Sequence, residues 1–175
     1  MARISSLIAT GFPAPVMTTS YALPALSDNL SDSYGGQAMN YARIFVGGLV
    51  GGVVFNVVSI LINVLFLAPR YESLQGAGVL RAQARLPFMP LYVLILLGLG
   101  IVLVWLYASA RTRLGPGPST ALLVGAAVGL IAAMPGNLAQ YAWTYVGGYV
   151  SMWWSIEMLL GCALGTLAGA AVYKE

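Results

Sequence analysis

The sequence predicts an all-α membrane protein that folds as a bundle of four transmembrane helices. Of its 175 residues, 59% are hydrophobic and 7% are charged, whereas a soluble domain carries about 25% charged residues. Four apolar stretches approach or reach the length of about 20 residues that crosses a bilayer. A soluble core of this size could not hide so much apolar surface from water, so lipid is the expected solvent.

The four apolar stretches follow one another with short connections. They cover residues 44–68, 90–110, 120–134 and 149–173. Pro135 directly follows the third and shortest stretch. We expect a kink there, with the helix resuming toward Tyr141, because neighbouring helices can satisfy the backbone groups that a proline frees. Between the second and third spans, "RTRLGPGPST" predicts a turn, because its glycines and prolines interrupt a helix.

Two segments lie outside the spans. Residues 69–89 are more polar and weakly amphipathic, which is compatible with a short surface helix or with a plain loop. Residues 1–38 are rich in Pro, Ser, Thr and Gly without a helical period, and they predict a flexible N-terminal extension to a membrane domain over residues 39–175. "MNYARIFVGGLVGG" is typical of a protein start, so Met39 is a candidate first residue. The alternative is a genuine extension that docks on a partner.

Basic residues near the span ends predict the topology. One side would hold Arg43, Arg111, Arg113 and Lys174, and the other side would hold Arg70, Arg81 and Arg85. Because Arg111 and Arg113 lie in the tightest loop, we place this loop and both termini in the cytoplasm. Trp105 and Tyr107 would then mark the cytoplasmic interface.

Glycines recur at intervals of four residues in three of the spans. They are Gly47, Gly48, Gly51 and Gly52 in the first span, Gly125 and Gly129 in the third, and Gly161, Gly165 and Gly169 in the fourth. A spacing of four places each set on one helix face, where two backbones can approach closely. These glycines predict helix packing, either within one chain or between chains.

Glu157 is the one acidic residue within the spans, and it falls in step with the glycine line of the fourth. On the first span, Asn56, Ser59 and Asn63 share a face, which we interpret as a continuation of the line through Gly48 and Gly52. Together these four polar residues predict a polar seam inside the bundle.

An antiparallel arrangement of the first and fourth helices would bring the two polar halves to similar depth. Gly51 and Gly52 would then face the glycines of the fourth span, and Glu157 would fall near Ser59 or Asn63. A carboxyl inside a membrane is a functional candidate because exposing it to lipid is costly. It is either a proton or cation site, or a neutral acid that is hydrogen-bonded for structural reasons. Burial favours the neutral form, so we expect a neutral Glu157.

The composition excludes several classes of chemistry. The sequence has no histidine, which removes the usual general base and the commonest metal ligand. Cys162 is the one cysteine, so neither an intrachain disulfide nor a site with several thiolates can form. "GPGP" follows no strand and is a turn, not a phosphate loop. We therefore expect no catalytic residue, no metal and no cofactor, and the few, scattered charges exclude a nucleic-acid footprint.

Three stretches resemble a group of small four-helix proteins of the bacterial inner membrane. They are "MNYARIFVGGLVGGVVFN", "VWLYASARTRLGPGPSTA" and the ending "GAAVYKE". The members share a W-L-Y-A-x-x-R-x-R-x-G-P-G-P-x-T-A turn and a Y-K-E tail. The resemblance covers residues 39–175, and it implies a bacterial inner-membrane location and a four-helix bundle but no particular activity.

The sequence favours a non-enzymatic function. We expect a small structural or accessory membrane protein that associates with the bilayer and with copies of itself or a larger membrane complex. The alternative is a small transporter or an ion or proton conduit that uses Glu157 together with Asn56 and Asn63.

Overall fold

A computed structural model describes residues 39–173, and within this range it contains helices and no strand. The helices are α1 (Tyr41–Ile62), a π-helical turn (Asn63–Leu67), α2 (Ala68–Gly76), α3 (Phe88–Leu114), α4 (Pro118–Trp143) and α5 (Gly148–Val172). Four helices are long and apolar enough to cross a membrane, so the predicted four-helix membrane fold is confirmed. The extension predicted for residues 1–38 and the placement of Lys174 lie outside the described residues.

The first span is longer than the sequence predicts. Tyr41–Gly76 is one continuous helix of 36 residues, so the amphipathic segment after residue 68 is helical as far as Gly76 and continues the first span. The third span likewise runs on through Pro135 to Trp143, in agreement with the expectation that the helix resumes after the proline.

The π-helical turn ends two residues before Pro69. A proline has no N–H, and its ring clashes with the carbonyl four residues earlier in a regular α-helix. The chain avoids this clash by widening one turn, so that the Ala68 N–H donates to the Asn63 carbonyl, five residues back. The wider turn is held against α5, where Phe66 stacks on Trp153 with ring centroids 3.9 Å apart.

α5 is the central helix of the bundle. It packs against α1 on one side and α4 on the other, and it also contacts α3, which packs mainly against α1. The turn between α3 and α4 defines one end of the bundle, here called the turn end, where Ile44, Tyr107, Ala121 and Tyr173 form a buried cluster. The opposite end, here called the α2 end, buries Leu67 and Leu74 with Val150.

The turn end corrects one sequence-based expectation. Tyr107 is not an interface anchor: it is buried, 4% exposed, and its hydroxyl accepts a hydrogen bond of 3.3 Å from the Gly117 N–H. Gly115 ends α3 with φ at +83°, a left-handed conformation that favours glycine. The tyrosine therefore holds the glycine-rich turn against the bundle from inside.

α1 and α5 touch backbone to backbone. A Cβ added to Gly51 would lie 2.5 Å from the Gly165 carbonyl oxygen, and a Cβ added to Gly47 would lie 2.8 Å from that of Gly169. The two helices are antiparallel, as predicted, and each step of four residues along α1 meets a step of four back along α5. This contact requires glycine on both sides, because any side chain would push the helices apart.

Gly48 and Gly52 face a different helix from the one expected. A Cβ added to Gly52 would lie 2.7 Å from the Leu97 Cα of α3, and Gly48 and Gly100 are likewise in backbone contact. The prediction that Gly52 faces α5 is therefore wrong. The physical reason is that consecutive residues are rotated by about 100° around the helix axis. Each of the two overlapping glycine pairs of α1 therefore faces a different neighbouring helix.

The remaining predicted glycines also pack within the chain. A Cβ added to Gly125 would lie 2.5 Å from the Cys162 carbonyl oxygen, and one added to Gly129 would lie 2.8 Å from the Leu159 Cα, so both glycines hold α4 against α5. Gly161 leaves room for the Phe55 ring of α1. The question of whether these glycines pair within or between chains is answered in favour of contacts inside one bundle.

We expect Gly165→Leu to destabilise the bundle severely, because the side chain would have to displace the backbone of α1. Overpacking a tight core typically costs about 1–3 kcal/mol, and a displaced backbone costs more. Gly98→Leu is the matched control, since nothing lies within 4 Å of a Cβ at Gly98. Thermal unfolding in detergent measures both, and equal stability of the two variants would contradict the packing role of Gly165.

Candidate functional site

The candidate site is the carboxyl of Glu157, which is 3% exposed. Its Oε1 accepts hydrogen bonds from Ser59 Oγ at 2.5 Å and from the Tyr92 hydroxyl at 2.8 Å. Its Oε2 accepts a hydrogen bond from Asn63 Nδ2 at 2.9 Å. The donors come from α1, the π-helical turn and α3, so one acidic side chain ties three segments to α5.

The register of α1 on α5 brings Ser59 to Glu157. Gly47, Gly51 and Phe55 meet successive positions of α5, and Ser59 is the next residue on the same line. Asn63 lies one turn further, at the first residue of the π-helical turn. The spacing of residues on these two helices therefore predicts both contacts, and the structure brings Ser59 and Asn63 together with Glu157.

Asn56 does not belong to this cluster. Its side chain donates to the Gly52 carbonyl at 2.9 Å and reaches the Val93 carbonyl of α3 at 3.5 Å. Asn56 continues the glycine line that faces α3, whereas Ser59 and Asn63 continue the neighbouring line that faces α5. The predicted polar seam thus divides between two helix interfaces.

Three aromatic residues of the site lie beyond the sequence-based prediction. Tyr92 bonds Glu157 directly, the Tyr71 hydroxyl donates to Asn63 Oδ1 at 2.9 Å, and Trp154 Nε1 donates to the Tyr71 hydroxyl at 2.6 Å. One sequence feature could have pointed to Tyr92: it is an aromatic residue with a hydroxyl group, and it lies one turn inside a span. That signal does not specify which neighbour the hydroxyl meets, since this depends on the rotation of α3.

The π-helical turn places Tyr71 over Asn63. The two residues are eight apart, and in a regular helix they would be rotated by about 80° from each other. Because the π-helical turn takes up one extra residue, the two residues are rotated from each other like residues seven apart in a regular helix, which is by about 20°. The distortion before Pro69 is therefore what extends the hydrogen-bond network into α2.

The direction of this network follows from its donors. An indole N–H can only donate, so the Tyr71 oxygen accepts from Trp154 and its proton goes to Asn63 Oδ1. The Asn63 amide nitrogen then points to Glu157, and its second N–H goes to the Ser59 carbonyl at 2.9 Å. Both hydrogen-bonding groups of the amide are satisfied, and every bond in the chain points toward Glu157 Oε2.

The network extends from Glu157 toward one end of the bundle only. On the turn-end side, the Phe55 ring, Leu103 and Cys162 are all 0% exposed, and the Thr166 hydroxyl bonds the Cys162 carbonyl inside its own helix. On the α2 side, Tyr71 and Trp154 are half-buried and carry the polar groups toward the helix ends. The carboxyl therefore has polar neighbours toward the α2 end and tight apolar packing toward the turn end.

The surface of the bundle offers small grooves away from Glu157. One groove of 210 Å³ lies between α4 and α5 and is lined in part by Asn137, Ser151 and Ser155. In the part of the chain that the structure describes, no three His, Cys, Asp or Glu side chains cluster in a way that could hold a metal. Cys162 is a buried packing residue in a cluster with Phe55, Leu96 and Leu103.

Comparison with protein-family models, with curated proteins and with solved structures finds no match for this chain. The resemblance to small bacterial inner-membrane proteins therefore depends on the start, turn and tail residues quoted above.

We expect Glu157→Leu to cost more stability than Glu157→Gln. Leucine leaves the Tyr92 hydroxyl and one N–H of Asn63 without an acceptor, and each buried unpaired group costs about 1–3 kcal/mol. Glutamine still offers an oxygen to Asn63, and we expect it to cost about 1 kcal/mol or less, in the range of membrane hydrogen bonds. Glu72→Leu, at an exposed acid of α2, is the control for replacing a carboxyl by an apolar side chain. Unfolding in detergent would contradict the role of the network if Glu157→Leu were as stable as the control.

Proposed function

We propose that the chain is a small, non-enzymatic integral membrane protein with a structural or accessory role, which associates with copies of itself or with a larger membrane complex. The observation that supports this proposal is the hydrogen bonding of Glu157. The buried acidic side chain of the spans is held by neutral groups of its own bundle, Ser59, Asn63 and Tyr92. A carboxyl committed in this way stabilises helix packing and leaves little capacity for acid–base catalysis on a substrate.

The proposed location is the bacterial inner membrane, with both termini in the cytoplasm. The resemblance described above supports the membrane, and the distribution of basic residues supports the orientation. Arg43, Arg111 and Arg113 lie near the turn end, while Arg70, Arg81 and Arg85 belong to α2 and the loop after it. The compact turn at Gly115 places two arginines at helix ends, where positive charge opposes translocation most.

Single cysteines test this orientation, in a chain whose buried Cys162 is replaced by alanine. We expect Gln75→Cys on α2 to react with a membrane-impermeant maleimide added outside the cell, and Ser119→Cys near the turn to react only after the membrane is permeabilised. Both positions are exposed in the fold, so burial does not account for a difference. The opposite labelling pattern would place the termini outside.

The uncovered glycines of the spans mark the proposed surface for association. Gly98 of α3 and Gly136 of α4 have no neighbouring heavy atom within 4 Å of an added Cβ. Gly76, the last residue of α2, is also uncovered, whereas the other glycines inside the spans are in contact with atoms of the same bundle. A second membrane helix could therefore approach closely at Gly98 or Gly136.

Bulk at these positions should weaken association while the fold is kept. We expect Gly98→Leu or Gly136→Leu to reduce crosslinking or copurification from native membranes, with a melting temperature close to that of the unaltered protein. Ala127→Leu adds similar bulk as a control, because this exposed position of α4 lies nine residues before Gly136 and is therefore rotated by about 180° from it. The accessory role would be refuted if the unaltered protein were extracted from native membranes as a monomer with no copurifying protein.

The second candidate function is a proton or ion conduit. It is favoured by the burial of a carboxyl inside a membrane span, where such groups often mark ion pathways. The apolar packing between Glu157 and the turn end argues against a continuous path. Proton flux in proteoliposomes that disappears in Glu157→Gln, with folding intact, would favour the conduit over the structural role.

A further inference from the structure

We propose that the Glu157 cluster is a proton-binding site that exchanges with the aqueous phase at the α2 end only, with the bound proton on Oε1 and directed at Ser59 Oγ. The carboxylate takes the proton from a hydronium ion, which leaves as water. This inference goes beyond the structural role because it adds an exchangeable ligand. It differs from the conduit because no proton passes on to the turn end.

The position of the proton follows from the polarised chain of hydrogen bonds. Trp154 donates to Tyr71, Tyr71 donates to Asn63, and Asn63 donates to Oε2. The indole can only donate, and a flipped Asn63 amide would turn its oxygen toward the Ser59 carbonyl, which now accepts an N–H of that amide at 2.9 Å. The direction of these bonds is therefore fixed. Oε2 therefore remains an acceptor in either state of the acid, and a proton is accommodated on Oε1.

Both partners of Oε1 are hydroxyls, which can donate or accept. A serine in a helix can donate to the carbonyl four residues earlier, which for Ser59 is that of Phe55. When Ser59 turns its proton to this carbonyl, its oxygen becomes free to accept from protonated Oε1. The Tyr92 hydroxyl goes on donating to the other lone pair of Oε1, so every group is satisfied with or without the proton.

In the part of the chain that the structure describes, the carboxyl is hydrogen-bonded by neutral groups only. Among the described residues, the titratable groups that face it are Tyr92 from α3 and, through Asn63, Tyr71 from α2. α1 contributes Ser59, which does not titrate, and no titratable side chain of α4 bonds the carboxyl. The charged side chains at this end, among them Arg70 and Glu72, are exposed.

The access route lies beside Tyr92. An amide relays a proton only by changing its tautomer. The hydrogen bonds that pass through Asn63 therefore orient the carboxyl and do not carry protons to it. Tyr92 is half-buried, lies one turn inside α3, and bonds Oε1 directly. On the other side of the carboxyl, Phe55 and Cys162 are fully buried, which separates the site from the turn end.

Difference infrared spectroscopy of the full chain in lipid bilayers tests this proposal. We expect one protonated-carboxyl C=O band that appears as the pH is lowered and is absent in Glu157→Gln. Because the carbonyl oxygen would be Oε2, Tyr71→Phe or Asn63→Leu should raise the frequency of this band by more than Ser59→Ala does. Ser155→Ala is the matched control, since the Ser155 hydroxyl bonds the Ser151 carbonyl and Asn137.

Each result decides the proposal. A band that never appears, or that is present at every pH, overturns the exchangeable proton. A larger shift in Ser59→Ala than in both Asn63→Leu and Tyr71→Phe overturns the placement on Oε1. In sealed vesicles of uniform orientation, the band should respond to pH on the α2 side alone, and a response from the turn end overturns the one-sided access. Asn63→Leu and Tyr71→Phe both change the hydrogen bonding to Oε2, so the test stays valid if one of these two variants fails to fold.

Discussion

The close approach of α1 and α5 is the constraint on which the rest of the structure depends. Gly47, Gly51, Phe55 and Ser59 meet Gly169, Gly165, Gly161 and Glu157 in turn, so one four-residue repeat on each helix sets a single antiparallel register. The same contact that brings two backbones together also carries the carboxyl to its hydroxyl partner. A shift of α5 by one turn toward the turn end would place Glu157 against the Phe55 ring, so the polar pair and the glycine pairs favour the same register.

The second glycine line of α1 extends this arrangement to α3. Gly52 and Gly100 let α1 and α3 approach at backbone distance, and this approach positions Tyr92 so that its hydroxyl reaches Glu157. The carboxyl is thus shared by three helices, although glycines on α1 determine the spacing of all of them. The stability of the bundle and the geometry of the candidate site both depend on these glycine contacts, because a looser bundle would leave the buried acid without its hydrogen-bond donors.

The π-helical turn shows how a local defect serves the site. Pro69 forbids a regular helix at this point, and the chain widens between Asn63 and Leu67. The widening rotates Tyr71 onto the face of Asn63 and lets Trp154 orient the amide through it. π-helical turns inside α-helices are frequent at functional sites, and here the turn brings Tyr71 within hydrogen-bonding distance of Asn63.

The sequence by itself determined the membrane class, the four spans, the use of glycines for helix packing and the approach of Glu157 to Ser59 and Asn63, because these depend on composition and on periodicity along single helices. Only the tertiary structure decided which glycine line of α1 faces which neighbour, and with it the separation of Asn56 from the cluster. It also decided the contributions of Tyr92, Tyr71 and Trp154. The physical reason is that a spacing of four defines a face relative to its own helix axis, whereas the rotation of that face toward a neighbour depends on how all the helices pack together.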